Sequence, residues 1–136
     1  MAALLNPYIG FKDNARQAME FYRDVFGGNL EINTFGDFGQ PDPAEADKVM
    51  HSRLETDKGF TLMAADTPAQ MEYTPGGAIT ISLSGDDADD LRGYWEKLSD
   101  GGAVVMPLEK QVWGDEFGMC TDKFGTSWMV NITQQA

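Results

Sequence analysis

Thr56-Asp57-Lys58-Gly59, set between the apolar runs Val49 to Glu55 and Phe60 to Ala65, recurs in altered form as Thr121-Asp122-Lys123, set between Phe117 to Thr121 and Ser127 to Ile132. Each copy reads as a hairpin joining two strands. The strands that follow carry Met63 and Met129 at matching places. Upstream, Asp13 matches Asp86, Ala15 matches Ala88, Phe21-Tyr22 matches Tyr94-Trp95, and Gly27-Gly28 matches Gly101-Gly102. The chain is therefore read as a duplication.

Working outward, Asn6 to Phe11 is a short apolar strand. Ala15, Ala18, Met19, Tyr22, Val25 and Phe26 fall on one face at helical spacing, and Asn14 with Gln17 fits a capping box. Leu30 to Phe35 reads as a strand, and Gly36 to Asp47 as a long loop. In the second half Ala78 to Ser84 is a strand in which Ile79, Ile81 and Leu83 are expected to face the helix and Ala78, Thr80 and Ser82 to line the cavity. A helix follows over Ala88 to Leu98 with Leu91, Tyr94, Trp95 and Leu98 as its buried stripe, and Asp86, Asp87, Asp89 and Asp90 suit its positive end. Ala103 to Leu108 is the next strand. Each half thus reads strand, helix, three strands. The expected fold is α+β: a single domain of two βαβββ modules, about 1–66 and 78–136, forming a curved, mixed, mainly antiparallel sheet. One helix per module covers only one sheet face, so the other faces are expected to curl around a central cavity.

With 136 residues, 42% hydrophobic and 24% charged, the composition is that of one globular domain. A single cysteine, Cys120, excludes an intramolecular disulfide and a Cys-rich zinc module. Its strand position, without a basic neighbour, reads as a buried small hydrophobe. A net charge of -12 without a basic cluster argues against nucleic acid as a partner. No apolar run approaches a membrane span, and Met1 to Leu5 lacks the features of a secretory signal, so a cytoplasmic protein is expected.

Pro107-Leu108, Trp113-Gly114, Phe117-Gly118, Thr121-Asp122-Lys123-Phe124-Gly125 and Trp128-Met129-Val130-Asn131, with Asn6-Pro7-Tyr8, Phe26-Gly27-Gly28 and Met50-His51, resemble the PhnB-like branch of the vicinal oxygen chelate superfamily. That superfamily includes glyoxalase I, ring-cleaving dioxygenases and bleomycin-binding proteins. The resemblance implies four cavity-facing ligand positions, on the first, third, fifth and eighth strands, which fall here near Pro7, on His51, near Thr80 and near Met129. Only His51 is a usable metal ligand, and a divalent cation needs at least three N or O donors. Relatives in this branch carry a methyltransferase label. That chemistry usually calls for a glycine-rich turn between a first strand and helix, whereas Gly27-Gly28 ends a helix.

The site expected from this reading comprises His51, Arg53, Thr80, Trp113, Met129 and Asn131, with no cofactor and no metal. Strand alternation puts His51 with Arg53, and Met129 with Asn131, on common faces. Arg53 needs an acidic partner, either Glu55 or an anionic group on a ligand. Trp113 and Phe117, beside Gly114 and Gly118, are candidates for a pocket wall. The function expected is binding of a small organic molecule, an anionic one included. The alternative is a metal-dependent lyase, isomerase or dioxygenase using His51 with Glu55, Asp66, Asp115, Glu116 or Asp122; proton exchange by His51 with Glu55 is also chemically open. Exposed sheet edges, and the habit of the resembled family, point to a homodimer.

Overall fold

The computed structural model describes residues 5–69, 72–73 and 78–133. The strands are β1 (Tyr8–Phe11), β2 (Asn29–Thr34), β3 (Val49–Glu55), β4 (Thr61–Asp66), β5 (Ile81–Gly85), β6 (Ala103–Lys110), β7 (Glu116–Thr121) and β8 (Ser127–Ile132). The helices are α1 (Ala15–Phe26), α2 (Pro43–Ala46) and α3 (Ala88–Ser99). Two compact units divide the chain, Met1–Pro75 and Gly76–Ala136. Each contains a βαβββ module with its own sheet, ordered β1-β4-β3-β2 in the first and β5-β8-β7-β6 in the second. The α+β class and the two modules are as expected. Each module forms its own four-stranded sheet, because its first strand pairs, in parallel, with its own last strand. All other neighbours are antiparallel.

In the first unit α1 buries Ala15, Ala18, Met19, Tyr22, Val25 and Phe26. Against them the sheet buries Phe11, Ser52, Leu54, Leu62 and Ala64. Each large apolar side chain buried in this way stabilises by about 1.5–3 kcal/mol. The Ser52 hydroxyl is satisfied by donating to Ala64 O at 2.8 Å. The expected capping box at Asn14 is absent: its side chain makes no cap bond. Instead Asp66, at the end of β4, accepts from Ala15 N and from Val49 N, each at 2.9 Å. One buried carboxylate thus ties helix start to sheet, and a charged acceptor at the positive helix end takes over the local cap's work.

In the second unit Leu83, Leu91, Leu98, Cys120, Trp128, Val130 and Ile132 are buried, while Tyr94 and Trp95 are only half-buried. Here α3 caps itself, Asp87 Oδ1 accepting from Asp90 N. Strand β5 begins at Ile81, not Ala78. Ile81 pairs with Trp128, the second residue of β8, so residues ahead of it have almost no partner strand left. Ile79, expected beneath the helix, is 83% exposed for that reason. The loop Gly36 to Asp47 contains a 3-10 turn and the four-residue α2, whose N-cap Asp42 accepts from Ala44 N.

Equivalent glycines follow the two long helices. A Cβ on Gly28 would lie 2.2 Å from Glu55 O, and one on Gly102 would lie 2.1 Å from Thr121 O. Both hairpins are therefore pressed against a helix exit where only glycine fits.

Candidate functional site

The helix-free face of the first sheet can be read row by row from the ladders. One row runs Tyr8, Met63, Arg53, Glu31 across β1, β4, β3 and β2. The next runs Gly10 and Ala65 on β1 and β4, then His51 and Asn33 on β3 and β2. Period-two alternation fixes this assignment, since the buried Phe11, Ser52, Leu54, Leu62 and Ala64 occupy the other face. A Cβ placed on Gly10 would meet nothing within 4 Å, so the exposed Gly10 opens this face to free space beside Ala65.

Two side-chain pairs form on this face. The Tyr8 hydroxyl lies 3.2 Å from His51 Nδ1, with the rings 5.8 Å apart and tilted by 34°. Partial burial pushes the Tyr8 phenol above its usual range, so it carries its proton at neutral pH. Arg53 Nη2 pairs with Glu55 Oε1 at 2.8 Å, the acidic partner anticipated for it. Arg53 Nε is buried and has no acceptor.

On the second sheet the matching rows are Ser82, Met129, Met119, Met106 and Ser84, Asn131, Phe117. Asn131 Nδ2 donates to Asp115 Oδ2 at 3.1 Å. Trp113, 59% exposed in the turn after β6, packs edge-on against Phe117 with centroids 6.0 Å apart. Of the expected residues, His51 and Arg53 thus share one face of the first sheet. Met129 and Asn131 share one face of the second, to which Trp113 attaches through Phe117. Thr80 precedes β5, and Ser82 is the residue opposite Met129. Likewise Pro7 precedes β1, and Tyr8 is opposite Met63.

Tyr8 is the residue that sequence reasoning passed over. The signal was present: counting back by twos from the apolar Phe11 takes Ile9 to the helix side and leaves Gly10 and Tyr8 on the helix-free face.

The carboxylates considered as metal ligands are engaged elsewhere. Asp66 accepts two backbone N–H groups. Asp122 accepts from Phe124 N, Thr126 N and the Trp128 indole. Glu116 is paired with Arg92, Asp115 with Asn131, and Glu55 with Arg53. Among the described residues no three His, Cys, Asp or Glu side chains gather as a metal would require. Cys120 is buried, and burial together with the nearby Asp122 pushes its thiol up to about 11, which leaves it a poor nucleophile.

The sequence profile of the 3-demethylubiquinone-9 3-methyltransferase family matches residues 4–131. The chain belongs to that family. It is similar to protein PA1353 from Pseudomonas aeruginosa, at 37% identity and a TM-score of 0.88 over 98% of this chain and 100% of that one. A putative 3-demethylubiquinone-9 3-methyltransferase, PhnB protein, from Bacillus cereus aligns at 21% identity and a TM-score of 0.72, over 96% and 100%. A glyoxalase/bleomycin resistance protein/dioxygenase family enzyme from Burkholderia phytofirmans PsJN aligns at 14% and 0.64, over 98% and 100%. The last two likenesses speak for the fold, and the chain is a PhnB-like member of that fold class.

The family's description names a methyl transfer, and the residues here do not fit the usual cradle for the methyl-donor cofactor. The turn from β1 into α1, Lys12-Asp13-Asn14, contains no glycine, and its positive φ of 70° falls on Asp13. Gly27 and Gly28 stand at the helix exit instead. No helix among the described residues is long and apolar enough to cross a membrane.

Proposed function

We propose that this PhnB-like protein binds a small organic molecule on the helix-free faces of its sheets, without a catalytic metal. The observation that carries the reading is that Tyr8, His51 and Arg53 share one sheet face with the open position at Gly10. Polar side chains that serve only stability are normally satisfied among themselves, whereas Arg53 Nε is not. Taken by itself, the helix-free face of the second sheet offers Met129, Met119 and Phe117, bodies suited to apolar contact, with Trp113 at its margin and Asn131 as a polar marker. Thr80 stands at the entry to β5 of that sheet, two residues before Ser82.

The reading includes a homodimer in the cytoplasm. Support for the dimer comes from β6, an edge strand exposing Val104, Val105 and Met106 at 51%, 66% and 41%. The acidic charge and the buried, unreactive Cys120 suit the compartment.

The test measures metal content and ligand-induced Trp fluorescence in the parent and in His51→Ala, using a panel of neutral and charged small organic compounds. Binding without stoichiometric metal, weakened in His51→Ala, is the expected result. One divalent ion per chain that is lost in His51→Ala together with a lyase or oxygenase activity would overturn it.

A further inference from the structure

The chemistry of the Tyr8, His51 and Arg53 cluster restricts what the first sheet can hold, provided that this face binds a ligand as proposed above. A phenol is a far better donor than acceptor, and the Tyr8 hydroxyl faces His51 Nδ1 at 3.2 Å. In the neutral imidazole the Tyr8 proton therefore goes to Nδ1, and the ring's own proton is confined to Nε2. His51 then offers a donor at Nε2. Two residues along the same strand face stands Arg53, opposite Met63, with Nη2 held by Glu55 and Nε buried without an acceptor. An orphaned buried donor costs about 1–3 kcal/mol, which an acceptor brought by a ligand offsets. Met63 is unbranched and flexible, a neighbour able to yield as that acceptor arrives.

We propose that this face reads a small organic carboxylate, gripped by Arg53 and by the Nε2–H of His51, with Tyr8 as the positioning residue that keeps that proton in place. The guanidinium fork matches a planar carboxylate. A phosphate dianion fits less well, because the single cation is flanked by Glu55 and by Glu31 opposite it on β2, and the whole chain carries -12.

The experiment titrates the full chain, labelled with nitrogen-15, with benzoate, benzamide and inorganic phosphate. It follows the His51 ring nitrogens and Arg53 Nε by NMR. The free protein should show the proton on Nε2. Benzoate should shift both residues saturably, and benzamide and phosphate should bind at least about tenfold more weakly, since a hydrogen bond to a charged group is worth about 1.5–3 kcal/mol. Arg53→Lys, which keeps the charge and loses the fork, should weaken benzoate about tenfold. Tyr8→Phe should weaken it about threefold and mix the two His51 tautomers, at an unchanged melting temperature. A proton on Nδ1 in the parent, benzamide or phosphate binding as tightly as benzoate, or an Arg53→Lys variant equal to the parent would overturn the proposal. If neutral compounds shift the face and benzoate does not, the carboxylate reading fails while small-molecule binding stands. If no compound of either class shifts any helix-free-face residue, both fail.

Discussion

The two units share one backbone plan and differ in what they hang on it. In the first unit the central row of the helix-free face is Tyr8, Met63, Arg53, Glu31; in the second the same row is Ser82, Met129, Met119, Met106. The methionine on the last strand is common to both. Around it one unit has a phenol, a guanidinium and a carboxylate, and the other has a hydroxyl and thioethers. The features that repeat are those the backbone demands, such as Gly28 and Gly102 at the helix exits. What the backbone demands recurs in both units and the side chains of the helix-free rows differ, so the pairs of equivalent residues can be used as internal controls.

The largest expected contrast lies at the hairpins. Thr56 accepts one bond, from Phe60 N at 3.0 Å. Its counterpart Asp122 accepts from Phe124 N, Thr126 N and Trp128 Nε1 while nearly fully buried. Asp122→Ala should cost about 3–5 kcal/mol in urea unfolding, because it strands three donors, one of them a buried indole; Thr56→Ala should cost about 1 kcal/mol. Equal losses would mean that the Trp128 contact contributes little.

A second contrast concerns Ser52 and Gly118, which occupy equivalent helix-facing positions. A Cβ on Gly118 would lie 2.8 Å from Leu108 Cα and 2.9 Å from the Trp95 ring, and the Leu108 backbone has no easy retreat. Gly118→Ala should destabilise by about 2–3 kcal/mol. Gly10→Ala, with open space around it, should stay within about 0.5 kcal/mol of the parent. Thermal unfolding of the pair decides whether Gly118 is a packing glycine or a loop hinge.

This difference also shows where the sequence was legible. The duplication, both long helices and strands Val49–Glu55 and Ser127–Ile132 could be read because periodicity and the repeated turns report local geometry directly. The Thr-Asp-Lys match, however, is one residue out: Thr56 N donates to Phe60 O as Asp122 N donates to Thr126 O, so Thr56 answers to Asp122 and not to Thr121. The capping of α1 could not: its acceptor, Asp66, lies on another strand, and no local pattern encodes a partner so far along the chain. The same limit applies to β5, whose start is set by where β8 begins. At the candidate site, His51 and Arg53 could be paired by alternation. Tyr8 needed the parallel register of β1 with β4 to bring it to His51.

A third contrast is between Leu54, which cannot titrate, and Cys120 at the equivalent buried place. Burial and then Asp122 raise the Cys120 thiol from its ordinary 9.0 to about 11. The folded state holds this proton more tightly than the unfolded chain does. Its contribution is therefore complete below about pH 9 and is lost as pH rises toward 11, at most about 3 kcal/mol. Stability measured against pH should fall more steeply over that window in the parent than in Cys120→Val. Alkylation of the native protein at pH 8 should be slow and limited by unfolding. Equal slopes and fast alkylation would place the thiol in contact with water.

The smallest expected effect is also the most informative about function. Arg53→Met gives the first unit the residue found at the matching place in the second, Met119. If Arg53 stabilised the fold, its loss should be felt, yet its ion pair with Glu55 joins side chains that are 40% and 55% exposed, a class of pair worth about 0–1 kcal/mol. Against that small loss stands a gain, since the substitution removes a buried Nε that has no acceptor. The two terms oppose one another, and urea midpoints of Arg53→Met and parent should agree within about 0.5 kcal/mol. The same variant should lose binding of benzoate and keep whatever affinity the face has for benzamide. A large destabilisation would make Arg53 a structural residue, and the polar row of the first unit would then be another solution to packing. A silent effect on stability with a selective loss of the anion identifies the difference between the two rows as the place where this duplicated scaffold acquired its chemistry.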